Sequence, residues 1–171
     1  MSKISLAVAV KLKSVLSKRI HELEEEMGRV AYIDMEKGSQ LPKQARNLIE
    51  VEKDIEEVRK DFRLLDRLMY KANIENEIIF NNESLAIVEA IEFASQLRAR
   101  ARKYKEFGST AKEEFLYPLG DSSSMVKVAM FDPEDYRLKA LDMERQANRL
   151  SNLINAKNYA VELDFDSDRY F

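Results

Sequence analysis

Eight apolar residues, Leu48, Val51, Ile55, Val58, Phe62, Leu65, Met69 and Ala72, follow one another at steps of 3, 4, 3, 4, 3, 4 and 3. A seam of that period defines one stripe of a helix and requires a second long surface to cover it. A helix from about Pro42 to Asn73 would run for roughly 48 Å at 1.5 Å per residue. The covering partner is legible upstream. Leu12, Leu16, Ile20, Leu23, Met27 and Val30 form a near-heptad stripe at steps of 4, 4, 3, 4 and 3, on a helix expected from about Ser5 to Val30. The stretch between them, "AYIDMEKGSQLP", is punctuated by Gly38 and Pro42 and reads as a loop. The two helices are therefore expected to form a long antiparallel, supercoiled hairpin.

The rest of the chain continues in helical vein. Only four Gly and three Pro occur in 171 residues, and 35% of residues are charged. "FNNES" breaks the seam, and Ser84 reads as the N-cap of a third helix starting at Leu85. Its apolar side is Ile87, Ile91, Ala94, Leu97, Ala101 and Tyr104, with Gly108 at its end. Residues 113–131 change character: "EEFLYPL" and "MVKVAMF" flank "GDSSS", which predicts a small β-hairpin. In "FDPED", Asp132 is placed to cap a fourth helix with Pro133 at its first position and acidic residues in its first turn. That helix carries Tyr136, Ala140, Met143, Ala147, Leu150 and Ile154. The end of the chain alternates Val161, Leu163 and Phe165, the pattern of a short strand, and residues 164–171 read as an acidic tail. The expected fold is mainly α: a single domain over residues 1–171, a coiled-coil bundle of four helices with the β-hairpin inserted before the last.

Three segments together resemble the septicolysin-like family of small bacterial and phage-encoded helical proteins. They are Asn73 and Asn76 followed by "NNESLAIVEAI", then "MVKVAMFDPEDYRLKAL", then "LSNLINAKNYAVEL". The resemblance spans residues from about 4 to 163. Tyr159 stands where such proteins often have Trp, and Asn81-Asn82 where they often have Asp-Gly. What the resemblance implies is a compact helical protein that self-associates; the family's name implies a lytic toxin.

Chemistry has few footholds. Disulfide and thiolate reactions are excluded because the chain has no Cys. The one histidine, His21, lies in "HELEEE", which lacks the second His of a zinc protease motif. Asp164, Asp166 and Asp168 alternate like the opening of a calcium loop, but the Gly and Glu that complete such a loop are missing. No cofactor or metal is expected, and no enzymatic activity. The apolar run Leu6–Val10 is closed by Lys11 and is too short for a signal peptide core. No 18-residue apolar stretch exists, so a cytoplasmic protein without a membrane partner is expected. The formal charge of −3 gives no general attraction to nucleic acid.

Two features stand out as candidate binding residues. Asn73 and Asn76 end one helix as Asn-x-x-Asn, and Asn155 and Asn158 repeat the pattern in another. Their structural role would be helix termination and register; their functional role would be to converge on a polar ligand. "QLRARARKYKEF" sets five cations into eight residues. Arg98, Arg102 and Lys105, at steps of 4 and 3, share one helical face and are suited to a phosphate-bearing anion, with Tyr104 as a stacking wall. The expected function is a non-enzymatic homo-oligomeric binding protein that sequesters a small anionic, nucleotide-like ligand. A structural or adaptor coiled coil and a membrane-acting cytolysin are the alternatives.

Overall fold

The computed structural model describes residues 2–116 and 125–171. Among these the chain forms four helices and six short strands: β1 (Lys3–Ser5), α1 (Leu6–Ala31), α2 (Leu48–Glu75), β2 (Glu77–Phe80), β3 (Glu83–Ala86), α3 (Ile87–Gly108), β4 (Glu113–Phe115), β5 (Val126–Val128), α4 (Pro133–Ala160) and β6 (Glu162–Asp164). The fold is mainly α with small antiparallel β pairs, as the seam and the hairpin signal predict. The chain groups into two compact units, Met1–Asn76 with Lys157–Phe171, and Glu77–Ala156.

In the first unit α1 and α2 form the expected antiparallel hairpin. Val51, Ile55, Val58, Leu65 and Ala72 of the seam are buried, as are Leu12, Leu16 and Leu23 opposite them. Ion pairs fix the register along the hairpin: Lys13 with Asp66, Arg59 with Glu24 at 3.0 Å, and Arg46 with Glu26 at 3.0 Å. Pairs this exposed contribute little to stability; their use is alignment.

The helix boundaries show where local chemistry overrode the reading of breakers. α2 starts at Leu48 rather than near Pro42, because Asn47 forms a capping box. Its side chain accepts from the Glu50 N–H at 2.9 Å, and Glu50 returns a bond to the Asn47 N–H at 2.9 Å. Ser5 caps α1 through its Oγ, which accepts from the Val8 N–H. Just before it, β1 pairs with β6, Ile4 lying opposite Leu163. Ile4, Val161, Leu163 and Phe165 are all buried. The predicted terminal strand is therefore present.

Its continuation is not a solvated acidic tail. Ser167 is buried, Arg169 pairs with Glu57 at 3.0 Å and Asp61 at 3.5 Å, and the Tyr170 hydroxyl donates to Asp61 at 2.5 Å. Alternating acids on Asp164, Asp166 and Asp168 mask a segment whose other residues anchor it to α2.

In the second unit the break at "FNNES" is a tight hairpin. β2 and β3 pair from Glu77–Ala86 to Phe80–Glu83, and Asn81 and Asn82 make the turn at φ 50° and 64°. Two consecutive left-handed residues define the primed turn whose twist matches that of the strands, and Asn tolerates it best after Gly. Ser84 is consequently a strand residue and not a cap: its Oγ donates to Glu77 at 2.7 Å. α3 begins at Ile87, and its buried face is Ile87, Ala90, Ala94, Leu97 and Ala101, so Ala90 replaces the exposed Ile91 of the predicted stripe.

Gly108 ends α3 for a steric reason and not a conformational one. A Cβ there would sit 2.7 Å from the Arg137 backbone nitrogen at the start of α4, closer than real contacts allow. α4 begins as predicted, with Asp132 Oδ1 accepting from the Glu134 N–H at 3.0 Å. The aromatic rings of Tyr104, Phe107, Phe131 and Tyr136 fill this junction, with centroids 5.1–5.5 Å apart. Strands β4 and β5 form the predicted hairpin before α4, Glu113 opposite Val128; its expected turn at 120–124 lies outside the described residues.

Candidate functional site

α3 carries the cationic candidates. Arg98, Arg102 and Lys105 are all exposed. The steps of 4 and 3 place them along one side of the helix, beside the stripe that packs on α4. Arg98 donates through Nη2 to Ser151 Oγ of α4. Arg102 and Lys105 make no ion pair among the described residues. A guanidinium has five donors, so one bond to a hydroxyl leaves Arg98 able to bind an anion. Tyr104 belongs elsewhere. It is half-buried, packed edge-on against Tyr136 at 5.3 Å, with the Arg100 guanidinium 5.7 Å over its ring. It supports the helix junction and does not wall the cationic face.

The asparagine pairs separate into different jobs. Asn76 closes α2: its backbone N–H and its Nδ2 both donate to the Ala72 carbonyl, at 3.1 and 2.9 Å. Its φ of −106° is extended, so it ends the helix by hydrogen bonding and not by a left-handed turn. The left-handed asparagines are Asn81 and Asn82. Asn76 also borders a narrow cleft with Val161 and strand β6, the segment that follows Asn158. Asn158 itself is half-buried, and its Oδ1 is buried without a hydrogen-bond partner among the described residues. Asn73 is half-buried and Asn155 exposed.

These environments make the two copies unequal under substitution. Asn76→Leu is expected to destabilise by about 0.5–1.5 kcal/mol, the net worth of one hydrogen bond, because the Ala72 carbonyl keeps its backbone partner. Asn158→Leu is expected to be neutral or stabilising, since it removes a buried acceptor that has no partner. Urea midpoints of the two variants check this; equal losses would mean that Asn158 has a partner of its own.

Sequence reading missed a second polar cluster, in the first unit. Lys18, Arg19, Glu22, Asp54, Arg169 and Tyr170 rim a cleft of about 490 Å³ floored by Val15, Leu23 and Val58. Its charges satisfy one another: Glu22 pairs with Lys18 and Arg19, Asp54 with Arg46, and Arg169 with Glu57. Burial, and then the hydrogen bond to Asp61, push the Tyr170 phenol above its ordinary range. It therefore stays protonated and acts as a donor, not as a base. The signal for this cluster was two residues near the end of the sequence, Arg169 and Tyr170, too few to distinguish from a solvated tail.

No protein-family model matches the chain, and no curated protein sequence matches it. The chain is similar in structure to a functionally unknown conserved protein from Corynebacterium diphtheriae, known from its crystal structure, at 20% identity and a TM-score of 0.61, covering 95% of this chain and 100% of that one. At that identity the likeness is one of fold.

Proposed function

We propose that this chain is a non-enzymatic, self-associating helical binding protein; of these properties, its resemblance to the septicolysin-like proteins implies the self-association alone. The observation that carries the reading is the placement of large apolar side chains outside the cores. Leu64 is 38% exposed and Ile74 64%, both off the α2 seam, and Ile79 of β2 is 73% exposed. On α4, Leu138 and Leu141 are exposed as well. Scattered single apolar residues are ordinary on a surface, so the weight falls on Leu138 and Leu141, which are three apart on α4 and therefore neighbours on one exposed face that a second copy would cover. Sedimentation velocity at micromolar concentration is expected to show a species larger than the 19.9 kDa chain. A folded monomer under those conditions overturns the reading.

A second element concerns the ligand. The cations of α3 that make no ion pair among the described residues support capture of a small phosphate-bearing anion by Arg98, Arg102 and Lys105. Arg matches phosphate oxygens with two parallel N–H groups and stays charged at any working pH. The adaptor and cytolytic alternatives have no comparable observation behind them; among the described residues no helix is long and apolar enough to cross a membrane.

A further inference from the structure

The face of α3 that carries Glu89, Glu92, Gln96, Arg100 and Lys103 is distinct from the anion candidates. These five residues step by 3, 4, 4 and 3, so they form one stripe. The spacing is symmetric about Gln96, and the charge is inverted about it: two acids before, two bases after. All five side chains are exposed. Beside the acidic half lies an open groove of about 540 Å³, floored by Leu85, Val88 and Phe93 and rimmed by Glu83, Glu89 and Glu92. Val88 is 47% exposed there.

Existing contacts on the stripe are weak. Glu92 accepts from Gln96 at 3.2 Å, Lys103 pairs with Glu106 at 3.2 Å and lies 5.1 Å over the Phe107 ring, Arg100 lies 5.7 Å over the Tyr104 ring, and one oxygen of Glu89 caps the Ala86 N–H at 3.3 Å. Glu83, Glu89, Glu92 and Arg100 have no ion-pair partner among the described residues. Exposed contacts of this kind exchange readily for intermolecular ones.

We infer that this stripe is an isologous docking surface for a second copy of the chain, with the two α3 helices antiparallel across a two-fold axis at Gln96. The axis sets each Glu92 against the second copy's Arg100 and each Glu89 against the second copy's Lys103. The two Gln96 amides meet at the centre and can bond each other. The stripe spans about 21 Å at 1.5 Å per residue, and the groove beside each acidic half receives the second copy's helix. A two-fold contact closes on itself, so every charge placed by one chain is answered by the other. A parallel arrangement would set acid against acid and base against base, and charge alone excludes it. The inference rests on the self-association reading but on a different observation, the self-complementary charge of α3, and it does not use the exposed apolar residues of α2, β2 and α4.

The test is a charge reversal on the full chain followed by sedimentation velocity. Glu89→Lys with Glu92→Lys makes the stripe wholly basic; Arg100→Glu with Lys103→Glu makes it wholly acidic. Each variant alone is expected to associate at least tenfold more weakly than wild type. Mixed in equal amounts they are expected to recover the associated species as a heterodimer, because opposite stripes now face each other. Glu89 caps α3, so Glu92→Lys and Arg100→Glu, which leave the cap intact, form a second pair with the same expected pattern. If both variants keep the wild-type mass, or if mixing restores nothing, the α3 surface is wrong while self-association stands. A monomeric wild type overturns both.

Discussion

Leu65→Ala is expected to lower the unfolding free energy by about 2–5 kcal/mol, the cost of truncating a fully buried leucine and leaving part of the cavity open. Leu65 has no exposed surface and sits in the α2 seam facing α1. Its neighbour Leu64 is 38% exposed, and Leu64→Ala is expected to change stability by no more than about 0.5 kcal/mol. Against a typical total of about 5–15 kcal/mol, the first loss is large and the second is near the limit of measurement. Urea unfolding followed by circular dichroism, at a concentration where the chain does not associate, separates them. Equal losses would place the seam one residue out of register, and with it the hairpin of α1 and α2.

That seam was the most legible part of the chain because it repeats. Eight apolar positions over seven steps admit one helical face, and the structure buries five of them fully and leaves the others half-buried. α4 was legible for a different reason: Asp132, Pro133 and the acids after them fix its start by local hydrogen bonding. Short strands carried no such repetition. β1 is three residues long, and its partner β6 lies more than 150 residues away, Lys3 opposite Asp164. Nothing near Lys3 announces that pairing. The Asn81-Asn82 turn did carry a signal, two turn-forming residues between "EIIF" and "ESLA", but Ser84 offers a competing cap, and only the pairing of β2 with β3 decides between them.

The candidate site divides along the same line. Residue spacing placed Arg98, Arg102 and Lys105 on one exposed face, because helical geometry alone decides that. It could not assign Tyr104, whose ring is engaged by Tyr136, 32 residues on and reached only through the antiparallel return of α4. Nor could it tell that Asn76 bonds its own helix while Asn158 leaves an acceptor unmet among the described residues. Those facts depend on what lies opposite, and opposition across a fold is written in no single segment.

Arg98→Ala with Arg102→Ala is expected to weaken binding of a small phosphate anion by a hundredfold or more. The probe is inorganic pyrophosphate, read by titration calorimetry at low ionic strength. Charge-assisted bonds are worth about 1.5–3 kcal/mol each, and about 1.4 kcal/mol is tenfold, so two lost contacts suffice. The matched control is Arg100→Ala with Lys103→Ala, which removes the same charge from the other face of α3. Simple attraction by a basic segment would make the two variants equal, since screening in water is insensitive to a shift of one helix face. A site would not: pyrophosphate affinity should survive in the control, while its self-association weakens because Glu92 and Glu89 of the second copy lose their counter-charges. The first variant should behave the opposite way, keeping its mass and losing the anion. Such a crossed result requires that α3 serve two partners on two faces. Equal losses of pyrophosphate affinity, or no binding by wild type, would remove the anion site and leave the helix with a single use.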